Sequence, residues 1–195
     1  RRKLQTVVAD DARFLPGYTP RSFEHSFSAD DGFRYAGYRF NGRIDRIDED
    51  GDGHAVIIDY KGGLGNAFSP FGRKDGPDVP HAQALIYAQI ARRDLGLDVV
   101  GSLYRSYNKS EVQGAYAAGA AEIGYDFTTN AYETGNADAF RELLDKTENE
   151  VAEVIERLLA GQIAPMPATS DACTWCAVNG TCPRCVPVPP EEGDQ

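Results

Sequence analysis

The apolar run at residues 55–58 limits the fold of this chain more than any other segment. It consists of an alanine, a valine and two isoleucines, which is typical of a strand inside a sheet that is covered on both faces. The acidic, glycine-rich stretch 48–53 in front of it predicts a turn from a preceding strand. With a helix and further strands expected after the run, the sequence predicts an α/β fold with a central sheet of mixed direction.

The other elements are predicted from hydrophobic periodicity and from glycine and proline signals. We expect strands at residues 22–27, 33–47, 97–107 and 111–118, and helices at residues 80–94 and 137–160. The apolar stripe of the second helix consists of Phe140, Leu143, Leu144, Val151, Val154, Ile155 and Leu158. Residues 62–80 contain five glycines and three prolines and predict a long loop, which in a compact domain tends to be functional.

All four cysteines fall near the end of the chain, in two C-x-x-C pairs. They are Cys173, Cys176, Cys182 and Cys185. Disulfide frameworks usually spread their cysteines across a fold, so this clustering indicates thiolate metal ligation in a reducing compartment, and we expect a cytoplasmic protein. The spacing alone fits a zinc ion and an iron–sulfur cluster equally well.

The chain of 195 residues is long enough for one domain with a small appendage. We expect a domain at residues 1–165, a cysteine-rich metal staple at residues 166–186 and a disordered tail at residues 187–195. The first residue is Arg1 and the only methionine is Met166, so we expect this chain to be part of a longer polypeptide. No apolar run approaches the roughly 20 residues of a membrane span, and no membrane partner is expected.

The net charge of −10 for the whole chain argues against nucleic acid as a partner, but its distribution changes that conclusion. Residues 110–195 carry four basic and fifteen acidic side chains, whereas residues 34–109 carry eleven basic and ten acidic ones. The acidic excess therefore lies in the last part of the chain. The middle keeps its arginines, and several of its acids have a better explanation than solubility.

The most informative polar residues stand at the end of the apolar strand. Asp59 and Lys61 project to the same side of a strand, and the Gly-Gly pair after them ends that strand at the rim of the sheet. A carboxylate there suits a hard divalent cation, and a lysine suits stabilisation of charge on a phosphodiester. Asp45 on the neighbouring strand and the backbone carbonyl of Tyr60 complete the expected protein ligands. A surface ion pair at the strand end is the alternative interpretation.

Gln83 and Tyr87 are four residues apart and therefore share one face of the helix that follows the long loop. Both side chains form hydrogen bonds, and neither belongs to the apolar set of the helix. The two interpretations are a pair of site residues and the polar edge of an amphipathic helix.

Four motifs follow one another along the chain: G-x-I-D-R-I-D from Gly42, I-I-D-Y-K-G from Ile57, Q-x-x-x-Y from Gln83 and C-x2-C-x5-C from Cys173. In this order they resemble the RecB-type branch of the PD-(D/E)XK nucleases, most closely the iron–sulfur nuclease domains of AddB-type helicase–nuclease subunits and the Cas4 exonucleases. The resemblance covers residues 21–185. It implies a restriction-endonuclease-like mixed sheet flanked by helices, with the nuclease-like domain at residues 1–165 and the cysteine staple after it.

The resemblance also implies a role for each motif residue. Asp45 and Asp59 would hold Mg²⁺ or Mn²⁺, and Lys61 would be the catalytic lysine. Gln83 and Tyr87 would help to hold the DNA strand. The metal-binding histidine and the first cluster cysteine that family members carry upstream are not evident here.

The cysteine staple would match three ligands of a [4Fe–4S] cluster in the full protein, through Cys173, Cys176 and Cys182. Cys185 would be a substitute fourth ligand. For this chain a zinc ion and an empty site stay open as alternatives.

The function expected from the resemblance is that of a Mg²⁺- or Mn²⁺-dependent deoxyribonuclease, an exonuclease domain in a helicase–nuclease of recombinational double-strand break repair. Its expected partners are DNA in single-stranded form and a helicase subunit. The alternatives are a non-catalytic DNA-holding or scaffolding module of the same complex, and a stand-alone Cas4-like exonuclease. The candidate DNA contacts outside the motifs are Arg73 and Lys74 for phosphates, and Phe68, Phe71 or Tyr104 for stacking on unpaired bases.

Overall fold

A computed structural model gives the fold of the chain. It describes residues 9–11, 13–64, 82–165, 167, 171–174 and 176–182. The expected metal staple is therefore described only in part, and the expected disordered tail lies outside the described residues. None of the described helices is long and apolar enough to cross a membrane.

A seven-stranded sheet forms the centre of the described fold. Its strands are β1 (Thr19–Phe27), β4 (Gly42–Glu49), β5 (His54–Lys61), β6 (Asp98–Ser106), β7 (Glu111–Ala117), β8 (Thr128–Thr129) and β9 (Tyr132–Thr134). They are ordered β1-β4-β5-β6-β7-β8, and β9 also pairs with β7. The β5–β6, β7–β8 and β7–β9 pairs are parallel and the other three pairs are antiparallel, which confirms the expected mixed sheet.

The structure corrects the single strand expected at residues 33–47. Strands β2 (Arg34–Tyr35) and β3 (Tyr38–Arg39) form a small separate hairpin, and the sheet strand β4 begins only at Gly42. Ala36 and Gly37 in the hairpin turn have left-handed backbones, with φ of 51° and 81°, which interrupt an extended strand. Strands β8 and β9 and a short 3-10 turn at Ala29–Asp31 were not expected from the sequence.

The helices flank the sheet. Helix α1 (Gln83–Asp94) connects the parallel strands β5 and β6, as a crossover requires, and packs on both of them. Its expected start at residue 80 lies outside the described residues. A helical segment at residues 9–11 and 13–14 lies near the other face, where Phe14 joins the main core. Helix α2 (Ala137–Leu159) packs on α1 and β7, and α3 (Asp171–Thr174) is a single turn in the cysteine segment.

The apolar stripe of α2 is only half buried. Phe140 and Leu144 in the first half are fully buried. Val154 and Leu158 in the second half are 52% and 57% exposed. Helical periodicity shows which residues share a face, but it does not show how far along the helix that face is covered.

Candidate active site

The pairing of β4 with β5 places Asp45 and Asp59 side by side. The paired part of this antiparallel ladder ends at Arg46 and Ile58, and Asp45 and Asp59 are the adjacent residues on the two strands. The Tyr60 backbone N–H donates a hydrogen bond of 2.9 Å to Asp45 Oδ2 and holds that carboxylate at the end of β5. We call the face of the sheet that carries Asp45, Asp59 and Lys61 the front face.

Helix α1 brings the two remaining motif side chains to the same place. Lys61 Nζ lies 2.6 Å from Asp59 Oδ2 and donates a hydrogen bond of 3.0 Å to Gln83 Oε1. Gln83 Nε2 in turn donates to the Tyr87 hydroxyl over 3.1 Å. The structure therefore brings together all five side chains that the motifs single out, although they lie on two strands and a helix.

Burial makes the carboxylate pair electrostatically unfavourable by itself. Asp59 is only 2% exposed, and this burial raises its pKa, as does the neighbouring charge of Asp45. The Lys61 ammonium acts in the opposite direction without cancelling the rise. A site that holds two carboxylates at low solvation with one lysine gains from an additional positive charge.

The donor atoms of this site fit a hard divalent cation. Asp45 and Asp59 offer carboxylate oxygens, the ligands that Mg²⁺ and Mn²⁺ prefer. Among the described residues no donor forms an aligned hydrogen bond with Asp59 Oδ2, and its close contact is the ion pair with Lys61. The expected role of the Tyr60 carbonyl stays a prediction.

A second acidic cluster lies at the other end of the same hairpin. Asp50, Asp52 and His54 each present a ligand atom within 4.8 Å of one another. Asp50 already accepts hydrogen bonds from the backbone N–H groups of Asp52 and His54, and its Oδ2 lies 2.8 Å from His54 Nδ1. His54 is five residues from Asp59 along β5, roughly 16 Å at the usual rise per residue. The two clusters are therefore separate, and the sequence identified this one only as a turn.

The opposite side of the same strands carries a buried ionic network that the sequence did not reveal. We call this side the back face. Arg46 donates to both carboxylate oxygens of Asp48, over 2.5 and 2.6 Å, and to the Tyr60 hydroxyl over 2.9 Å. It also pairs with Asp11 of the N-terminal helical segment. Burial disfavours its charge, but the bonds to Asp48 outweigh this and raise the pKa of Arg46 above its usual range. The alternation of the G-x-I-D-R-I-D motif was the available signal, because it places Arg46 and Asp48 together on this face.

Of the five DNA contacts expected outside the motifs, only Tyr104 lies among the described residues. Tyr104 is only 2% exposed, so it is not a stacking platform for unpaired bases, and that expectation is wrong. Its register opposite Asp59 in the parallel β5–β6 pair places it inside the site. The other candidates, Arg73, Lys74, Phe68 and Phe71, lie outside the described residues.

The described cysteines are free thiols. Cys173, Cys176 and Cys182 form no disulfide, and Cys185 lies outside the described residues. Backbone hydrogen bonds fold the segment into tight turns, with Cys176 N–H donating to the Cys173 carbonyl over 3.3 Å and Cys182 N–H to the Val178 carbonyl over 2.9 Å. Among the described residues their sulfur atoms do not come together as a group of three ligand atoms within 4.8 Å of one another.

Comparison with known proteins agrees with this arrangement. A sequence model of the PD-(D/E)XK nuclease superfamily matches residues 1–183, which is nearly the whole chain. The chain belongs to the PD-(D/E)XK nuclease superfamily. Membership indicates metal-dependent hydrolysis of phosphodiester bonds, with DNA as the substrate. No curated protein gives a significant match to the chain.

Proposed function

We propose that this chain is a Mg²⁺- or Mn²⁺-dependent DNA exonuclease domain whose active site is the front-face cluster around Asp45, Asp59 and Lys61. The observation that carries the proposal is the convergence of this acid pair with the Lys61–Gln83–Tyr87 hydrogen-bonded chain at one rim of the sheet. A structural ion pair would account for Asp59 and Lys61. It would not account for a second carboxylate beside them.

The side chains divide the work by their chemistry. Asp45 and Asp59 would hold the cation, which when bound would supply positive charge near the scissile phosphate and lower the pKa of a bound water. Lys61 has three N–H donors, one directed to Gln83, and stabilises the charge that develops on the phosphate. Gln83 is exposed, so it can contact the DNA strand while it fixes the ammonium, and the buried Tyr87 holds Gln83 in place through its hydroxyl. Because Lys61 is partly exposed, a phosphate can reach it from solvent.

The larger setting follows from the motif order. We propose that the domain acts on single-stranded DNA as part of an AddB-type helicase–nuclease in double-strand break repair, in the cytoplasm. The cysteine segment would hold a [4Fe–4S] cluster or a zinc ion through Cys173, Cys176, Cys182 and Cys185. The spacing of the two C-x-x-C pairs supports this. An absorption spectrum with metal analysis separates iron–sulfur protein, which is brown, from colourless zinc protein.

The first experiment removes one active-site group at a time from the full chain. Asp59→Asn and Lys61→Ala should each lower the rate of metal-dependent cleavage of a single-stranded oligonucleotide by about 10²–10³-fold, the usual cost of losing a charged group that acts in the transition state. Asp50→Asn is the matched control, because it makes the same change in the acidic cluster at the other end of the hairpin. It should leave the cleavage rate unchanged.

The same assay separates the alternatives. Cleavage that is lost in Asp50→Asn and retained in Asp59→Asn would place the metal at the hairpin turn and contradict the proposed site. A chain that binds DNA without cleaving it at any Mg²⁺ or Mn²⁺ concentration would support the non-catalytic DNA-holding module.

A further inference from the structure

Tyr104 lies beneath the proposed active site at the point where its three elements meet. It is the direct partner of Asp59 in the parallel β5–β6 pair. Its ring centroid is 5.9 Å from Lys61 Nζ, within the distance at which an aromatic face attracts an ammonium group. The side chain is only 2% exposed and forms a small buried cluster with Leu64 and Ala84. This position excludes direct contact with a DNA strand.

The Tyr104 hydroxyl also serves the first turn of helix α1. The first N–H groups of a helix have no partner within the helix and usually receive one from an N-cap side chain. The N-cap residue here is Ala82, which makes no side-chain cap bond. Ala84 N–H instead donates a hydrogen bond of 3.0 Å to the Tyr104 hydroxyl, which comes from the neighbouring strand.

The bond at Ala84 is adjacent to a residue of the proposed active site. Gln83 precedes Ala84 directly, and its side chain bonds both Lys61 Nζ and the Tyr87 hydroxyl. Tyr104 therefore contacts the lysine through its ring and fixes the backbone next to the glutamine through its hydroxyl. The hydroxyl thus acts on the Gln83 side of the Lys61–Gln83 hydrogen bond, and the ring acts directly on Lys61.

We propose that Tyr104 is a positioning residue of the nuclease, which sets the distance between Lys61 and Gln83 by capping helix α1 and supporting the lysine from below. The proposal rests on the proposed function. Tyr104 touches neither the DNA nor the cation, so its effect on cleavage passes entirely through Lys61 and Gln83.

The test is a double-mutant cycle measured on the full chain with a single-stranded oligonucleotide and Mg²⁺. Tyr104→Phe keeps the ring and removes the hydroxyl, and it should lower kcat about tenfold with KM for DNA unchanged. In a Gln83→Ala background the same change should have no further effect on kcat. Tyr104→Leu also removes the ring, so it should lower kcat further, and that additional loss should persist without Gln83.

Tyr35→Phe is the matched control. Tyr35 is also 2% exposed, and among the described residues its hydroxyl has no hydrogen-bond partner. Removing that hydroxyl should leave kcat and KM unchanged. A loss of kcat that is equal in the two Phe variants would indicate a general packing effect and would overturn the proposal.

A second measurement does not depend on catalysis. Amide hydrogen exchange at Ala84 should be faster in Tyr104→Phe than in the wild type, because the buried acceptor of that N–H is gone. Unchanged exchange at Ala84 would overturn the proposal even if activity fell. The proposal would also be overturned if the separate losses of kcat in Tyr104→Phe and Gln83→Ala multiplied in the variant that carries both changes. Tyr104 would then act independently of Gln83.

Failure of this inference is distinguishable from failure of the proposed function. A wild-type chain that cleaves DNA with Mg²⁺, and loses no activity in Tyr104→Phe, overturns only the role of Tyr104. A wild-type chain without metal-dependent cleavage, with either metal, overturns both.

Discussion

Both faces of the β4–β5 hairpin carry charged residues, but the charges are paired differently on the two faces. On the back face, Arg46 and Asp48 are almost completely buried, and each charge has a partner of opposite sign. On the front face, two carboxylates lie near one partly exposed lysine, which pairs with Asp59, and burial raises the pKa of Asp59. Charge alone therefore does not distinguish a structural network from an active site. The difference lies in the balance of charge: Arg46 and Asp48 neutralise each other, whereas two carboxylates beside one lysine leave a negative excess that can bind a cation.

The largest effect is expected from a substitution that breaks the buried ionic network of the back face. Arg46→Met should lower the free energy of unfolding by about 3–5 kcal/mol, because it leaves the buried Asp48 carboxylate without its cation. Urea denaturation followed by circular dichroism measures this loss. Arg43→Met on the same strand is the control. Its side chain is 62% exposed and pairs with exposed Glu24, so the change should stay within about 0.5 kcal/mol.

Equal losses in the two arginine variants would show that the back-face network contributes no more than a surface ion pair. In that case the comparison between the faces would lose its energetic basis.

The next prediction applies one substitution to both faces. Asp48→Asn should lower the free energy of unfolding by about 3 kcal/mol, because it breaks a buried pair. Asp59→Asn should leave it unchanged or raise it at pH 7. The pKa of Asp59 is raised in the folded state, so its charged form costs stability at neutral pH, and this cost disappears as the pH falls through the folded pKa toward the ordinary value of 3.8.

Urea unfolding curves of the two variants at neutral pH and near pH 4 check these opposite signs. A loss of stability in Asp59→Asn as large as that in Asp48→Asn would mean that the front-face carboxylate is a structural ion-pair partner.

The smallest effect concerns the turn that joins the two strands. The hydrogen bond with Asp50 raises the pKa of His54 above 6.5, although burial opposes this. Burial also opposes charge on Asp50, but its bonds with His54 lower the pKa of that carboxyl below 3.8. The ion pair therefore stabilises the fold in the pH window between the ordinary pKa values of the aspartate and the histidine. The histidine contribution to stability is lost as the pH rises through its folded pKa.

His54→Gln should accordingly cost less than about 1 kcal/mol near pH 5.5, the size of a partly solvated ion pair, and less still near pH 8.5. Urea unfolding at both pH values measures the difference. The same loss at both values would show that protonation of His54 contributes nothing to the turn.

Much of the candidate site could be predicted from the sequence, as particular residues show. The two-residue spacing of Asp59 and Lys61 at the end of an apolar run places both on one face of the strand. The acidic turn predicted that the preceding strand would return beside them, which brought Asp45 into the set. Four-residue spacing placed Gln83 and Tyr87 on one helix face. All of these inferences use short-range geometry.

The errors arose where long-range contacts decide. The Ala36–Gly37 turn broke an expected strand, and the end of α2 lacks the cover that its periodicity suggested. Tyr104 is not the expected surface platform, because its register opposite Asp59 places it inside the site. That register is set by a parallel crossover, which no local pattern encodes. Asp11 likewise meets Arg46 across 35 positions of the chain.

The sequence alone determined which residues share a strand face or a helix face, because side-chain direction repeats with a fixed period of two or 3.6 residues. It thereby determined the acid pair, the lysine and their class of chemistry. Only the tertiary structure decided which charges find complete partners, since pairing depends on segments that are distant in the chain and on solvent exclusion between them. That decision separates the back face, where Arg46 and Asp48 pair with each other, from the front face, which we propose as the active site.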